Sequence, residues 1–154
     1  MLKEYRALAG DDAKLAQKGW VESGVVPGLI AFDGELAVGW MAIEPRGSYD
    51  RLAHSRVLKP IDEQPVWSIT CFFTRKNYRH KGVTVALLLA GIDYVKTMGG
   101  NIVEGYPTEA KGGRSPDAFV FTGLPGAFRK AGFVEAARYS PTRPIFRFVI
   151  TAER

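Results

Sequence analysis

The segment Arg75–Thr84 has the composition of a phosphate-binding turn. It places Arg79 and Lys81 beside Gly82, directly before residues 85–95, whose apolar positions recur at helical spacing. The first turn of a helix presents unpaired backbone N–H groups and a partial positive charge, so a phosphate can bind to it directly. Gly82 leaves room for that approach and Thr84 adds a hydroxyl. The pattern therefore predicts a pyrophosphate site at a helix start.

Two other phosphate-binding motifs are excluded by the same residues. A P-loop needs a second glycine followed by Lys and Ser or Thr, and this segment lacks that arrangement. A dinucleotide fingerprint needs three spaced glycines, and Val83–Val85 supplies none. The ligand must therefore be a polyanion bound by a different kind of turn.

The elements that position this turn follow from periodicity and turn residues. The strand Pro65–Thr74 precedes the turn, and the helix after it ends at Gly99-Gly100. Asp33-Gly34 joins the two strands of an earlier hairpin. The other predicted elements are an N-terminal helix, a strand, a short helix and a last pair of strands, over Lys3–Glu22, Asn101–Tyr106, Leu124–Ala131, Phe133–Tyr139 and Ile145–Ile150. This order predicts one α/β (α+β) domain over residues 1–154, with helices on the faces of a mixed sheet.

Two segments together resemble the GNAT N-acetyltransferase superfamily. Tyr78–Thr84, followed by Leu87–Leu89, is similar to its acetyl-CoA loop, which reads Arg/Gln-x-x-Gly-x-Gly/Ala before a helix. Ala127–Phe133 is similar to its short helix ending in Gly-Phe. The resemblance covers roughly residue 25 to the C-terminus. It implies a mixed, mostly antiparallel central sheet with helices on both faces, and an enzyme that moves an acetyl group from acetyl-CoA to a primary amine.

The resemblance also implies which residues bind the co-substrate. The backbone at the end of the family's fourth strand would pair with the pantetheine arm, and the loop would bind the pyrophosphate. In this family the fourth and fifth strands splay apart, and the acetyl group lies in the resulting wedge. The implied cofactor-binding residues are Phe72, Phe73, Thr74, Arg79, His80, Lys81, Gly82, Val83 and Thr84.

Three positions depart from the family pattern. Thr84 stands where the loop has Gly or Ala. Phe128 stands where many members carry a tyrosine that protonates the departing thiolate, and a phenylalanine cannot donate a proton. Met1–Glu22 shows no convincing first strand, so either the sheet is one strand short or the chain is a truncated form. Without that strand, residues 29–32 form an edge, which the N-terminal helix or a second copy in a homodimer would cover.

Acetyl transfer needs a base for the amine and stabilisation of the oxyanion. The period of two places Glu104 and Tyr106 on one face of a central strand. An unpaired carboxylate there is costly, so Glu104 is the candidate base and Tyr106 a candidate proton donor. The alternative, that Glu104 pairs with a neighbouring Arg or Lys, is equally compatible with the sequence.

Composition and charge limit the ligands, metals and location that we expect for this protein. The net charge of +5 suits a polyanionic ligand, although it would also suit nucleic acid. Two histidines are too few for an ordinary zinc site, so no metal is expected. Cys71, in an apolar run, reads as a small buried hydrophobe. The sequence shows neither a signal peptide nor a membrane span, which predicts a cytoplasmic protein.

Two alternatives to the acetyltransferase remain open. Arg138, Arg143 and Arg147 lie near aromatic residues and would suit nucleic acid, but alternation in residues 145–150 explains those aromatics as one buried face. We therefore expect no nucleic-acid partner, and a small-molecule or peptide amine as acceptor. Phe128 instead favours an acyl-CoA-binding module of the same fold with weak or no catalysis. The identity of the acceptor cannot be read from the sequence.

Overall fold

The computed structural model describes residues 11–109 and 121–152. Within these residues there are four helices and six strands, and all but the short helix at Asp50–Ala53 follow in the predicted order. The helices are α1 (Asp11–Glu22), α2 (Asp50–Ala53), α3 (Val83–Thr97) and α4 (Pro125–Lys130). The strands are β1 (Gly28–Asp33), β2 (Leu36–Pro45), β3 (Trp67–Thr74), β4 (Ile102–Gly105), β5 (Val134–Arg138) and β6 (Pro144–Val149). Short 3-10 turns at Arg46–Ser48 and Lys76–Tyr78 follow β2 and β3.

The six strands form one sheet in the order β1-β2-β3-β4-β6-β5. Only the β3–β4 pair is parallel, and the other four pairs are antiparallel. The predicted mixed, mostly antiparallel sheet with helices is confirmed. Within the described part of the chain, β1 has β2 as its single strand neighbour. Residues 11–22 are helical, and residues 1–10 lie outside the described part.

The main core lies between the sheet and helices α3 and α4. Met41, Ile43 and Ile69 of the sheet pack against Leu88 and Val95 of α3, all fully buried. Helix α3 approaches β2 closely because Gly39 carries no side chain: a Cβ there would come 2.7 Å from Cγ1 of Val83. The close approach fixes the first turn of α3 against the sheet, and with it the segment that precedes the helix.

The connection from β2 to β3 covers part of the opposite face of the sheet. Arg46 holds this connection in place, since its Nη2 donates to the carbonyl oxygens of Leu52 and Leu58 at 3.2 and 2.6 Å. Both leucines are buried with Tyr106 and Ile145 in a second, smaller apolar cluster. The connection is therefore packed onto β4 and β6, where it forms one wall of the region between β3 and β4.

Strands β3 and β4 pair over only three positions and then separate. Their last register pair is Ile69 with Gly105, whereas β3 continues to Thr74 along β2. Ala42 pairs with Cys71 and Ile43 with Ile69, so Thr70 is an extra residue that forms a β-bulge. A bulge bends the strand that carries it. The bulge and the lost pairing open a wedge beyond Ile69 and Gly105, as the resemblance implied.

Candidate active site

The predicted pyrophosphate loop lies at the end of β3, where the wedge opens. His80 and Gly82 have φ of +60° and +82°, and Lys81 between them does not have a positive φ. Such alternation turns successive backbone N–H groups toward one side, an arrangement that binds anions. Gly82 is also the N-cap of α3, and no side chain among the described residues caps this end. The first amides of α3 are thus free of side-chain acceptors, which suits an anion at that end.

Backbone conformation gives Gly82 a role that sequence reasoning missed. From the sequence, glycine is expected at position 82 because it leaves room for the phosphate, and the helix start itself is expected to tolerate a side chain. A Cβ at Gly82 would meet nothing within 4 Å, but φ of +82° lies in the left-handed region that favours glycine. His80 adopts the same region with a side chain, at an energetic cost that persists mainly at functional positions.

The other predicted cofactor residues fall into two groups. Arg79, His80 and Lys81 are exposed, and Val83 and Thr84 are half-buried on the first turn of α3. Nζ of Lys81 lies 5.5 Å from the ring centre of Tyr78, a cation–π contact. In β3, Phe72 is buried, Phe73 is exposed and Thr74 is half-buried. The structure therefore brings the loop and the end of β3 together at one side of the wedge.

The backbone amide of Phe72 is already hydrogen-bonded. It donates to the carbonyl oxygen of Phe121 at 2.6 Å, and Gly123 accepts from the amide of Thr108 at 3.0 Å. Residues 121–123 therefore lie between β3 and the chain that follows β4, inside the wedge. The Phe72 amide was predicted to bind the pantetheine arm, and in this structure the protein's own backbone occupies that position.

Phe128 is a core residue. Its side chain is fully buried, and its ring centre lies 6.0 Å from that of Phe72 and 5.2 Å from that of Phe133, both edge-on. Gly105 faces the ring so closely that a Cβ there would overlap it. Phe128 thus closes the inner end of the wedge with an apolar surface that offers no proton donor.

The carboxylate of Glu104 is buried and paired. Its side chain is 2% exposed, and Oε1 accepts from Nη2 and Nε of Arg147 at 2.5 and 2.9 Å. Arg46 approaches Oε2 at 3.8 Å, and Arg147 also binds Asp62. Of the two possibilities that the sequence left open, the structure contains the ion pair. These contacts favour a structural role for Glu104, and its assignment as the base stays a prediction.

Tyr106 points back toward the paired part of the sheet. Its hydroxyl lies 2.7 Å from Oγ of Ser68, 3.0 Å from Nη1 of Arg46 and 3.1 Å from Oε2 of Glu104. Burial and then the charge of Glu104 raise the pKa of Tyr106 well above its ordinary value. A hydroxyl held by three partners inside the protein is a poor source of protons for the wedge. Its role as proton donor also stays a prediction.

Sequence reasoning missed Glu44, which lies opposite Ser68 in the β2–β3 register. Glu44 is half-buried, burial raises the pKa of its carboxyl, and it makes no ion pair or hydrogen bond through its side chain with the described residues. Burial raises the pKa of Tyr49, whose hydroxyl lies beside Thr70 at the bulge, and the charge of Glu44 adds to that rise. The sequence signal was a carboxylate at the end of a strand, which resembles an ordinary turn residue.

Comparison with known proteins places the chain in a family. The sequence model of the Acetyltransferase (GNAT) family matches residues 2–108, about two-thirds of the chain. The protein therefore belongs to the GNAT acetyltransferase family. A search of curated proteins finds no significant match.

Solved structures of the same fold agree with this assignment. The acetyltransferase of the GNAT family from Streptococcus pneumoniae is 13% identical, with 94% of this chain and 78% of that one covered and a TM-score of 0.56. The protein yncA of Salmonella typhimurium, described as an acetyltransferase and solved with its cofactor acetyl-CoA, is 14% identical over 94% and 76%, with a TM-score of 0.59. The ribosomal-protein-S18-alanine N-acetyltransferase of Escherichia coli is 14% identical over 89% and 78%, with a TM-score of 0.52. At such identities the likeness concerns the fold.

No helix among the described residues is long and apolar enough to cross a membrane. No group of three or more His, Cys, Asp or Glu residues in the described ranges could hold a metal ion.

Proposed function

We propose that this protein is an N-acetyltransferase that moves an acetyl group from acetyl-CoA to a primary amine. The observation that carries the proposal is the loop Arg79–Thr84, with its alternating φ values and uncapped helix start, placed where β3 and β4 part. The loop supplies directed amides for a pyrophosphate. The end of β3 supplies backbone groups for the pantetheine arm. Both features lie at the wedge, as an extended acyl-CoA requires.

Within this proposal the proton of the acceptor amine goes to Glu44. The nitrogen lone pair forms the new C–N bond at the thioester carbonyl, the C–S bond breaks, and the thiolate takes a proton from water. A base must be unpaired and must have a pKa near working pH. Glu44 has no ionic partner among the described residues and a raised pKa, whereas Glu104 is bound by Arg147. We therefore assign the base to Glu44, and Glu104 and Tyr106 to the support of β4.

The acceptor approaches from the face of the sheet opposite α3. Helix α3 and the core close the other face. The groups on the face opposite α3 are Glu44, Tyr49 and the β2–β3 connection, which covers part of that face. Relatives include an enzyme named for the alanine of a ribosomal protein, so both small molecules and peptides are within the class of acceptors.

The alternative is a module that binds acyl-CoA without turnover. Phe128, fully buried where many members have a proton-donating tyrosine, favours it. Acetylation of any amine by the purified protein, followed by release of free CoA thiol, would reject the binding module. Binding of acetyl-CoA without transfer to a broad amine panel would support it.

Binding is tested by thermal unfolding with acetyl-CoA, free CoA and ATP in parallel. A ligand that binds only the folded state stabilises it by roughly 2.7 kcal/mol at a hundredfold excess over Kd. We expect acetyl-CoA and CoA to stabilise similarly, because the pyrophosphate and pantetheine supply most contacts. If ATP or polyphosphate stabilises the protein as well as CoA does, the proposal loses its main support.

A matched pair of glycines separates binding from folding. Gly82 and Gly99 lie at opposite ends of α3 with φ of +82° and +79°, and a Cβ at either would meet nothing within 4 Å. Gly82→Ala and Gly99→Ala should therefore lose similar stability, roughly 1 kcal/mol each from backbone strain. Only Gly82→Ala should lose the shift with CoA. Equal loss of binding in both variants would argue against the loop as the pyrophosphate site.

A further inference from the structure

Arg143 differs from the other arginines at this end of the sheet. Arg46, Arg138 and Arg147 each lie within 4 Å of a carboxylate. Arg143, in the turn between β5 and β6, makes no ion pair with the described residues. The one hydrogen bond from its side chain in that part of the structure runs from Nη2 to the carbonyl oxygen of Tyr106, at 3.4 Å.

The guanidinium of Arg143 is half-buried and partly unsatisfied. Its Nε is buried and has no hydrogen-bond partner in the part of the chain that the structure describes. Burial lowers the pKa of Arg143, although an arginine stays charged at neutral pH. A desolvated cation with an unused donor is costly unless an anion completes it. The other edge of the guanidinium, formed by Nη1 and the second hydrogen of Nη2, makes no hydrogen bond to the described residues, and it has the geometry that matches the two oxygens of a carboxylate.

The position of Arg143 connects it to the wedge. Tyr106 is the first residue beyond the last β3–β4 pair. The carbonyl oxygen of Asn101 accepts a hydrogen bond from the amide of Ile150, so it faces β6. Carbonyl groups alternate in direction along a strand, so the carbonyl of Tyr106 faces β3. Arg143 binds that carbonyl. Ile145 and Arg147 of β6 lie on the face opposite α3, from which the acceptor approaches, and Arg143 directly precedes that strand.

We infer that Arg143 binds an anionic group of the acceptor, and that the acceptor is an amine that also carries a carboxylate. This inference rests on the proposed acetyl transfer and narrows its substrate class. The amine lies toward Glu44 on β2 and the carboxylate toward Arg143 on the β5–β6 turn. An amino acid or a short peptide with a free carboxylate has both groups. A phosphate could offer the same oxygens, but a planar carboxylate fits the two-donor edge better.

The test uses acceptors of matched length with acetyl-CoA in excess: β-alanine, n-propylamine and 2-aminoethylphosphonate. Hydrogen bonds to a charged group contribute about 1.5–3 kcal/mol, so we expect kcat/KM for β-alanine to exceed that for n-propylamine roughly ten- to a hundredfold. Equal rates for the two would overturn the inference and leave the acetyltransferase intact. A higher kcat/KM for the phosphonate than for β-alanine would overturn the choice of carboxylate.

Variants of the protein test whether Arg143 causes the preference for β-alanine over n-propylamine. Arg143→Gln should raise KM for β-alanine and remove its advantage in kcat/KM over n-propylamine. Arg143→Lys, which keeps the charge without the two-donor edge, should recover only part of the preference. Arg138→Gln is the control in the same hairpin, because Arg138 already binds Glu109 and Glu135; it should keep the preference. If Arg143→Gln keeps the full preference for β-alanine, Arg143 is not the anion site.

Calorimetric titration into the CoA complex provides a readout that does not need turnover or a folded variant. β-Alanine should bind the wild-type protein more tightly than n-propylamine does. If CoA binds and the two amines bind equally, the inference about Arg143 is wrong and the proposed function still stands. If CoA does not bind at all, the proposed function fails first.

Discussion

Arg147 and Glu104 face each other across β4 and β6, with Nη2 of the arginine 2.5 Å from Oε1 of the glutamate. Both side chains are mostly buried, at 11% and 2% exposure. Removal of one partner from a buried ion pair leaves the other charge uncompensated. The stability of β4, the strand beside the wedge, therefore depends on this ion pair.

Glu104→Gln should lower the free energy of unfolding by about 3 kcal/mol, because Asp62 is then the only charged partner of Arg147 among the described residues. Glu135→Gln is the control: Glu135 pairs with Arg138 on the surface, and its loss should cost less than about 1 kcal/mol. Denaturant unfolding measures both. A Glu104→Gln variant with unchanged stability but no turnover would instead support the base predicted from the sequence.

Glu44 should control the acid side of the pH–rate profile. A base works only when deprotonated, so kcat/KM should rise with pH through its pKa, which burial places above the ordinary glutamate value. Glu44→Gln should lower kcat/KM by about a hundredfold and remove that limb, while the Kd for CoA stays unchanged. Glu63→Gln, at an exposed position in the β2–β3 connection, is the control. An intact acid limb in Glu44→Gln would assign the base elsewhere.

The same carboxyl should reduce stability at neutral pH. Its pKa is raised in the folded protein, so the folded state binds the proton more tightly than the unfolded state does. Stability then falls as pH rises from the ordinary glutamate pKa through the raised one. Glu44→Gln should therefore raise Tm at pH 7 and change it little at pH 4, measured as a difference from wild type. A variant less stable than wild type at pH 7 would show that Glu44 has an unrecognised partner.

Gly105 and Phe128 should behave as one packing unit. Gly105→Ala should destabilise the protein by roughly 1–3 kcal/mol, because the added methyl overlaps the Phe128 ring. Gly126→Ala, in α4 where a Cβ meets nothing within 4 Å, should be neutral or stabilising. In a Phe128→Leu background the cost of Gly105→Ala should shrink. Strict additivity of the two changes would contradict the contact.

Local patterns were sufficient to predict most of the fold. Helical spacing in residues 85–95 predicted α3, the Asp33-Gly34 turn predicted the β1–β2 hairpin, and both lie where expected. The loop was found because a basic turn before a helix is a local feature. The bulge at Thr70 and the role of Glu44 were not found, since both depend on register between strands that are distant in sequence. The pairing of Glu104 remained open for the same reason: its partner Arg147 is 43 residues away.

The hydrogen bond between Phe72 and Phe121 determines which parts of an acyl-CoA molecule can add to its binding affinity. The Phe72 amide already donates to the carbonyl oxygen of Phe121, so a pantetheine carbonyl that binds this amide replaces one hydrogen bond by another of the same kind. Such an exchange is nearly neutral in free energy, since both states keep the amide bonded. The pyrophosphate loop and the rest of the β3 backbone must then supply most of the net affinity, and the Phe72 amide supplies position. Truncated thioesters that lack the nucleotide should accordingly be poor ligands even where their chemistry is unchanged.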